Sequence, residues 1–127
     1  MSIMLLRINR KFSAYTLLTA EQLALKEAAA QHVNECIKPD AQLIDDSEQD
    51  LRKYFRGLGE LGMLGVTAPE KYGGSELGYL EHALICEEVA RASGAIGSSY
   101  GTHSNLCINQ LAMNGTHDQC EKYLPKL

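Results

Sequence analysis

Tryptophan is absent from this chain, phenylalanine occurs twice and proline three times, and β-branched residues nowhere gather into a run. Half-buried strands are built from alternating β-branched and aromatic residues, so this poverty argues against a sheet. What remains is rich in Ala, Leu, Gly and Glu, a composition suited to helices, and the fold class expected for the 127 residues is all-α, an irregular bundle of about five to six helices. No apolar stretch approaches the ~20 residues of a membrane span. A basic stripe is missing too: the formal charge is −4, and phosphate counterions have nothing to replace them, which argues against a nucleic-acid partner.

The four cysteines, Cys36, Cys86, Cys107 and Cys120, include no C-x-x-C pair, so they are expected as buried reduced thiols rather than a disulfide framework. Each follows a histidine by three or four positions, at His32, His82, His103 and His117, a spacing that shares a helical face. A zinc site would need two such pairs from neighbouring helices, but the four pairs fall on different expected helices and no metal is expected.

The first sixteen residues hold Arg7, Arg10 and Lys11 with no acid, leaving the chain after residue 20 at −7. Apolar residues alternate there with spaced cations and with Ser2 and Ser13, the pattern of a mitochondrial transit peptide, against which stands a frayed tail. The domain proper is expected over residues 17–127.

A first helix should start after Thr19, which with Gln22 forms a capping box, and stop before Pro39. Residues 40–46 read as a polar connection anchored by Leu43 and Ile44. Ser47, with Glu48 and Asp50 behind it, reads as the next start. The second helix is the cleanest: Leu51, Tyr54, Phe55, Leu58 and Leu61 share one face, and Gly62 ends it. Pro69-Glu70-Lys71-Tyr72-Gly73-Gly74 then reads as an ordered, irregular loop, with positive φ available at the glycine pair. A third helix is expected over residues 78–91, with Leu80, Ala83, Leu84 and Val89 near one face. A fourth should run over residues 95–114 and stop at Gly115 in a left-handed cap, and Thr116 with Gln119 opens a last helix.

The first half of the fourth helix is small or polar, from Gly97 to Asn105, and so depends on tertiary contacts. Ser98, Thr102 and Leu106 lie four apart, with Ser99 beside them. Such a face suits either close helix packing or the wall of a ligand site. No dinucleotide fingerprint, P-loop or nucleophile elbow occurs, and Glu87-Glu88 points two ways on a helix, as ion-paired or solvated carboxylates do rather than a catalytic dyad.

The order Leu61-Gly62-Met63-Leu64-Gly65-Val66-Thr67-Ala68-Pro69-Glu70-Lys71-Tyr72-Gly73-Gly74, followed by Glu87-Glu88-Val89-Ala90-Arg91, resembles the N-terminal helical domain of the acyl-CoA dehydrogenase family. Leu77 to His82 and Ser99 to Leu111 resemble its isovaleryl-type members in particular. The resemblance covers residues 18–127 and implies a flavoenzyme of three parts, of which the middle β-domain and the C-terminal helical domain are absent here. It implies FAD, an acyl-CoA substrate (isovaleryl-CoA oxidised to 3-methylcrotonyl-CoA in leucine breakdown), electron-transfer flavoprotein as acceptor, a homotetramer, and the mitochondrial matrix. A glutamate removes the substrate α proton in this family while the β hydride passes to flavin, and that general base is expected beyond Leu127. Carried over by position, Ser98, Ser99, Thr102 and Leu106 are the acyl-pocket wall, and the 127 residues alone are expected to be inactive. Two departures stand out: isovaleryl-type members have larger or purely apolar residues at Ser98 and Thr102, and Glu76 stands where the family loop commonly has Gly. A reading from a different class is a noncatalytic helical interaction module, or a truncated isoform associating with full-length subunits.

Overall fold

The computed structural model describes residues 17–47 and 50–127, and among these all regular structure is helical. The segment read as a transit peptide, residues 1–16, lies outside them, as does Glu48. The helices are α1 (Ala20–Cys36), α2 (Ala41–Asp46), α3 (Arg52–Glu60), α4 (Tyr79–Ala92), α5 (Gly94–Gly101), α6 (Gln110–Asn114) and α7 (His117–Tyr123). Between α5 and α6 the chain stays helical but widens to π winding over Thr102–Asn109. Single 3₁₀ turns sit at Lys38–Asp40, Glu70–Tyr72 and Leu124–Lys126.

α1 packs along α4, and α4 turns back on α5. Both partners of the first pair begin with caps that are tied together. The Thr19 N–H donates to Gln22 Oε1 (3.0 Å) while Thr19 Oγ1 accepts from Gln22 N–H (3.2 Å), the expected capping box. Gln22 Nε2 donates in turn to Glu81 Oε1 (2.7 Å), and Glu81 Oε2 accepts from the Gly78 N–H at the start of α4 (3.0 Å). Further along, buried Glu88 accepts from Lys26 Nζ (2.6 Å) and from the Arg91 guanidinium (2.7 Å). Burial pushes the Glu88 carboxyl up, but these hydrogen bonds outweigh it and hold the group below its ordinary range. Glu87 pairs with Lys26 as well (2.9 Å), so the adjacent carboxylates are ion-paired, as expected of them.

Several boundaries differ from expectation for local reasons. Residues 40–46 are not a polar connection: six of them form α2, which buries Ile44 and leaves Leu43 53% exposed. A helix of one and a half turns has too little periodicity to announce itself and is held by the single side chain it sends to the core. Ser47 closes α2 by donating to the Leu43 carbonyl (2.6 Å) instead of starting α3. That start belongs to Asp50, whose Oδ1 accepts from the Arg52 N–H (3.0 Å); bonds from the Arg52 side chain and backbone hold its carboxyl down to about 2. On α3, Tyr54 and Leu58 are buried and Phe55 is half-buried, as the periodicity requires, whereas Leu61 is an exposed C-cap. On α4 the buried face is His82, Leu84, Ile85, Glu88, Val89 and Ala92; Leu80 and Ala83 are exposed. The face is turned because Glu88, once paired, can go inside. Of the cysteines, all free, Cys120 is buried and Cys86 half-buried, while Cys36 and Cys107 are exposed, against the expectation of buried thiols.

Gly115 also serves a different purpose from the one expected. Its φ is −73°, so no left-handed cap forms; instead a Cβ there would sit 2.5 Å from the Leu111 carbonyl oxygen and 3.2 Å from Cys120 Sγ. The turn folds the chain back so tightly against Leu111 at the end of α6 that glycine is required, with Cys120 of α7 crowding the same space. Ser93 both ends α4 and opens α5, its Oγ accepting from the Ile96 N–H (3.3 Å).

The loop of residues 61–78 is held mostly by its own backbone. Ser75 N–H donates to the Gly65 carbonyl (3.0 Å), Glu76 N–H to Ala68 (2.9 Å) and Leu77 N–H to Val66 (2.8 Å). Gly62 (φ +70°) and Gly73 (φ +89°) turn in the left-handed region, and so does Glu76 (φ +51°). A side chain with a Cβ is strained there, so glycine would adopt this conformation at less cost than glutamate. The Glu76 carboxylate accepts from the Glu70 N–H (3.2 Å), a bond that partly offsets the strain. Glu76→Gly is expected to be more stable than Glu76→Ala by about 1 kcal/mol, because Ala keeps the strain and loses the bond; urea midpoints of the two variants check this.

A second expectation concerns acid. His82 is buried and stacked on Tyr100 (ring centroids 5.5 Å), with Nε2 lacking a hydrogen-bond partner, and burial lowers its pKa from the ordinary 6.5. Below that value the unfolded chain binds a proton that the folded chain refuses, so stability is full above it and falls as the pH drops toward the folded pKa. Glu81, Glu88 and Asp40, all lowered, lose their contribution only in the more acidic carboxylate range. Stability should therefore decline between about pH 7.5 and about pH 5.5, and less so in His82→Leu, measured by urea unfolding at the two pH values.

Candidate functional site

The site is organised by how the loop meets the long helix. Tyr100 is fully buried and its hydroxyl donates to the Met63 carbonyl (2.7 Å); burial pushes its pKa up. One turn on, buried Ser104 donates to the Leu64 carbonyl (2.6 Å). Asn109, also buried, accepts from the Thr67 hydroxyl at Oδ1 (2.9 Å), and its Nδ2 donates to the Tyr79 hydroxyl (3.0 Å). Two of these bonds satisfy loop carbonyls that the loop's own backbone bonds do not reach, and the third ties the Thr67 side chain to the helix. Ile96 and Ile108 fill the space between them, and Gly97 lets α5 approach α4 so closely that a Cβ would lie 2.6 Å from Ala90 Cα.

With that side committed inward, the opposite side faces out. Ser98 and Thr102 are exposed, Leu106 is 64% exposed, and Ser99 is half-buried. The hydroxyls of Ser99 and Thr102 donate to the carbonyls of Ala95 and Ser98, each at 3.0 Å. These are bonds to the residue four back on the same helix, so the Ser99 and Thr102 hydroxyls are engaged there, and the outward face is small and uncharged. From Gly94 through Thr116 the sequence has no acidic residue, so this helix offers no carboxylate. The geometry is that of an exposed, uncharged helix face. A 370 Å³ cleft elsewhere is lined by Leu64, Tyr72, Gly73, Gly74, Ile108 and Leu124 among others, and by none of Ser98, Ser99, Thr102 and Leu106.

Ser104 and Asn109 escaped the sequence reading. Their signal is a pair of polar residues five apart on a helix taken to be α-wound throughout, where that spacing has no meaning. Among the described residues no three His, Cys, Asp or Glu groups gather as metal ligands, and no helix is long and apolar enough to cross a membrane.

Comparison with known proteins bears on the family and the fold. Residues 19–127 match the family model described as acyl-CoA dehydrogenase, N-terminal domain. Mitochondrial isovaleryl-CoA dehydrogenase of Pongo abelii is 57% identical over 112 residues, covering 87% of this chain and 26% of its own length. An acyl-CoA dehydrogenase of Bacillus anthracis complexed with FAD superposes with a TM-score of 0.77 at 27% identity, over 87% of this chain and 19% of its own. A structure of the electron transferring flavoprotein of Acidaminococcus fermentans gives 0.78 at 31% identity, over 85% of this chain and 28% of its own. The chain spans about a quarter of the length of the curated relatives it matches. The all-helical architecture, the glycine-turned loop and the family match over residues 19–127 agree, and the chain belongs to the acyl-CoA dehydrogenase family, whose N-terminal helical domain it contains.

Proposed function

We propose that this chain is the N-terminal part of a flavin-dependent acyl-CoA dehydrogenase that oxidises isovaleryl-CoA to 3-methylcrotonyl-CoA in leucine breakdown. The observation that carries the reading is the 57% identity over 112 residues to a mitochondrial isovaleryl-CoA dehydrogenase. The same name supports a mitochondrial site, and we extend it to the matrix, where residues 1–16 would act as the transit peptide. Electron-transfer flavoprotein is the acceptor and a homotetramer the working assembly in this reading.

The residues present fit an acyl chain better than a flavin. Ser98, Ser99, Thr102 and Leu106 present an uncharged face with its hydroxyls at Ser99 and Thr102 turned back on their own helix. Such a face, with two of its three hydroxyls already bonded, desolvates against hydrocarbon at less cost than a charged one. A flavin needs donors aimed at its ring and phosphates, and this face holds no such set. FAD, which supplies the hydride acceptor when bound, takes its seat from the remainder of the protein, and the general base does likewise. The contribution of this domain is shape: the volumes at Ser98 and Thr102 limit the length and branching of the acyl group.

Residues 1–127 alone should purify colourless and reduce no dye with isovaleryl-CoA, whereas a protein carrying this domain with the remaining length of its relatives should be yellow and active. A colourless or inactive longer protein would overturn the reading. Within the active protein, Ser98→Leu should lower kcat/KM for longer straight acyl chains roughly 10-fold relative to isovaleryl-CoA. An unchanged ratio removes Ser98 from the wall.

A further inference from the structure

The winding of the wall helix changes where the wall lies. In α-helical winding, residues five apart point about 140° away from one another, so Ser104 and Asn109 could not both face the loop. Over Thr102–Asn109 the helix is π-wound, with hydrogen bonds reaching five residues along the chain, and this brings the two side chains onto one side. Each then finds a loop partner: Ser104 the Leu64 carbonyl at 2.6 Å, Asn109 the Thr67 hydroxyl at 2.9 Å. Asn109 is held from a second direction by Tyr79, at the start of α4. Both residues are buried to 3% exposure or less, so neither has water as a substitute partner. The same widened turns carry Thr102 and Leu106 on the outside.

We infer that Asn109, through its bond with Thr67, is a positioning residue that keeps this stretch π-wound and thereby sets the direction in which Thr102 and Leu106 face the acyl group. The inference rests on the proposed dehydrogenase activity for its kinetic consequence, but not for its structural one. Without the Asn109 bond, the stretch relaxes toward α winding, Leu106 rotates about the helix axis relative to Ser98, and discrimination between branched and straight acyl chains changes. Asn109 touches no acyl group and contributes nothing to the bond-breaking step.

The test uses the full-length protein with Asn109→Leu, Thr67→Val and the double variant, with Thr67→Ser as the variant that keeps a hydroxyl. One measurement is the kcat/KM ratio for isovaleryl-CoA against its straight-chain isomer. The other is amide hydrogen exchange over residues 102–109. Asn109→Leu and Thr67→Val should each change the ratio about fivefold in the same direction and speed exchange, the double variant should change it no further, and Thr67→Ser should match the wild type. A ratio within about twofold of wild type in both single variants overturns the inference, and so does a Thr67→Ser protein that behaves as Thr67→Val. If the wild-type protein turns over no acyl-CoA, the functional reading has failed, and exchange alone decides: unchanged protection in Asn109→Leu overturns the structural role and faster exchange upholds it.

Discussion

Two buried hydroxyl-to-carbonyl hydrogen bonds, Tyr100 to Met63 and Ser104 to Leu64, fasten the irregular half of this domain to its longest helix. The loop that they hold has no regular ladder, yet Met63, Leu64, Val66 and Ala68 are all buried. Backbone carbonyls buried without partners cost about 1 to 3 kcal/mol each. The loop's own backbone satisfies the carbonyls of Gly65, Val66 and Ala68, and side chains from the helix satisfy those of Met63 and Leu64. The dependence runs both ways, since the helix between Gly94 and Asn109 is rich in glycine and hydroxyl residues and has little intrinsic preference for its conformation. Loop and helix are stable as a pair.

Charge is arranged to keep that pair undisturbed. The ion pairs bridging buried structure lie on the other side of α4, where Lys26, Glu87, Glu88 and Arg91 join it to α1. Glu88 is buried with both carboxylate oxygens engaged, so removing either cation would leave part of a charge inside without compensation. The wall helix itself carries no acid. The separation of the two lets a strong electrostatic scaffold between α1 and α4 and an uncharged outer face on the later helix coexist within a small core.

How much of this could be read in the sequence depended on the range of the cause. Capping boxes at Thr19 and Thr116 were legible because donor and acceptor lie three residues apart. The apolar face of α3 and the turn at Gly73 were legible for the same reason. By contrast, α2 is too short to show a period. The rotation of the α4 face depends on Lys26, which is 62 positions from Glu88 in sequence. The π winding was illegible because its stabilising bonds connect Ser104 and Asn109 to Leu64 and Thr67, and local residue types give no hint of them. Of the candidate site, the outward face at Ser98, Thr102 and Leu106 could be named from spacing and resemblance. What fixes its direction could not.

The division of the wall helix into a committed inner side and an open outer side has an evolutionary corollary that follows from energetics alone. Inner residues such as Tyr100, Ser104 and Asn109 each satisfy a buried group, and replacing any of them disturbs the loop. Outer residues such as Ser98 and Thr102 are exposed and bear on no core contact, so exchanges there fall in the range of surface substitutions, within about 0.5 kcal/mol. Selectivity can then be altered at those positions while the fold is hardly affected. That is why serine at 98 and threonine at 102 are compatible with an intact domain, and why, under the proposed function, the effect of an exchange at either is to be looked for in the acyl group accepted rather than in stability.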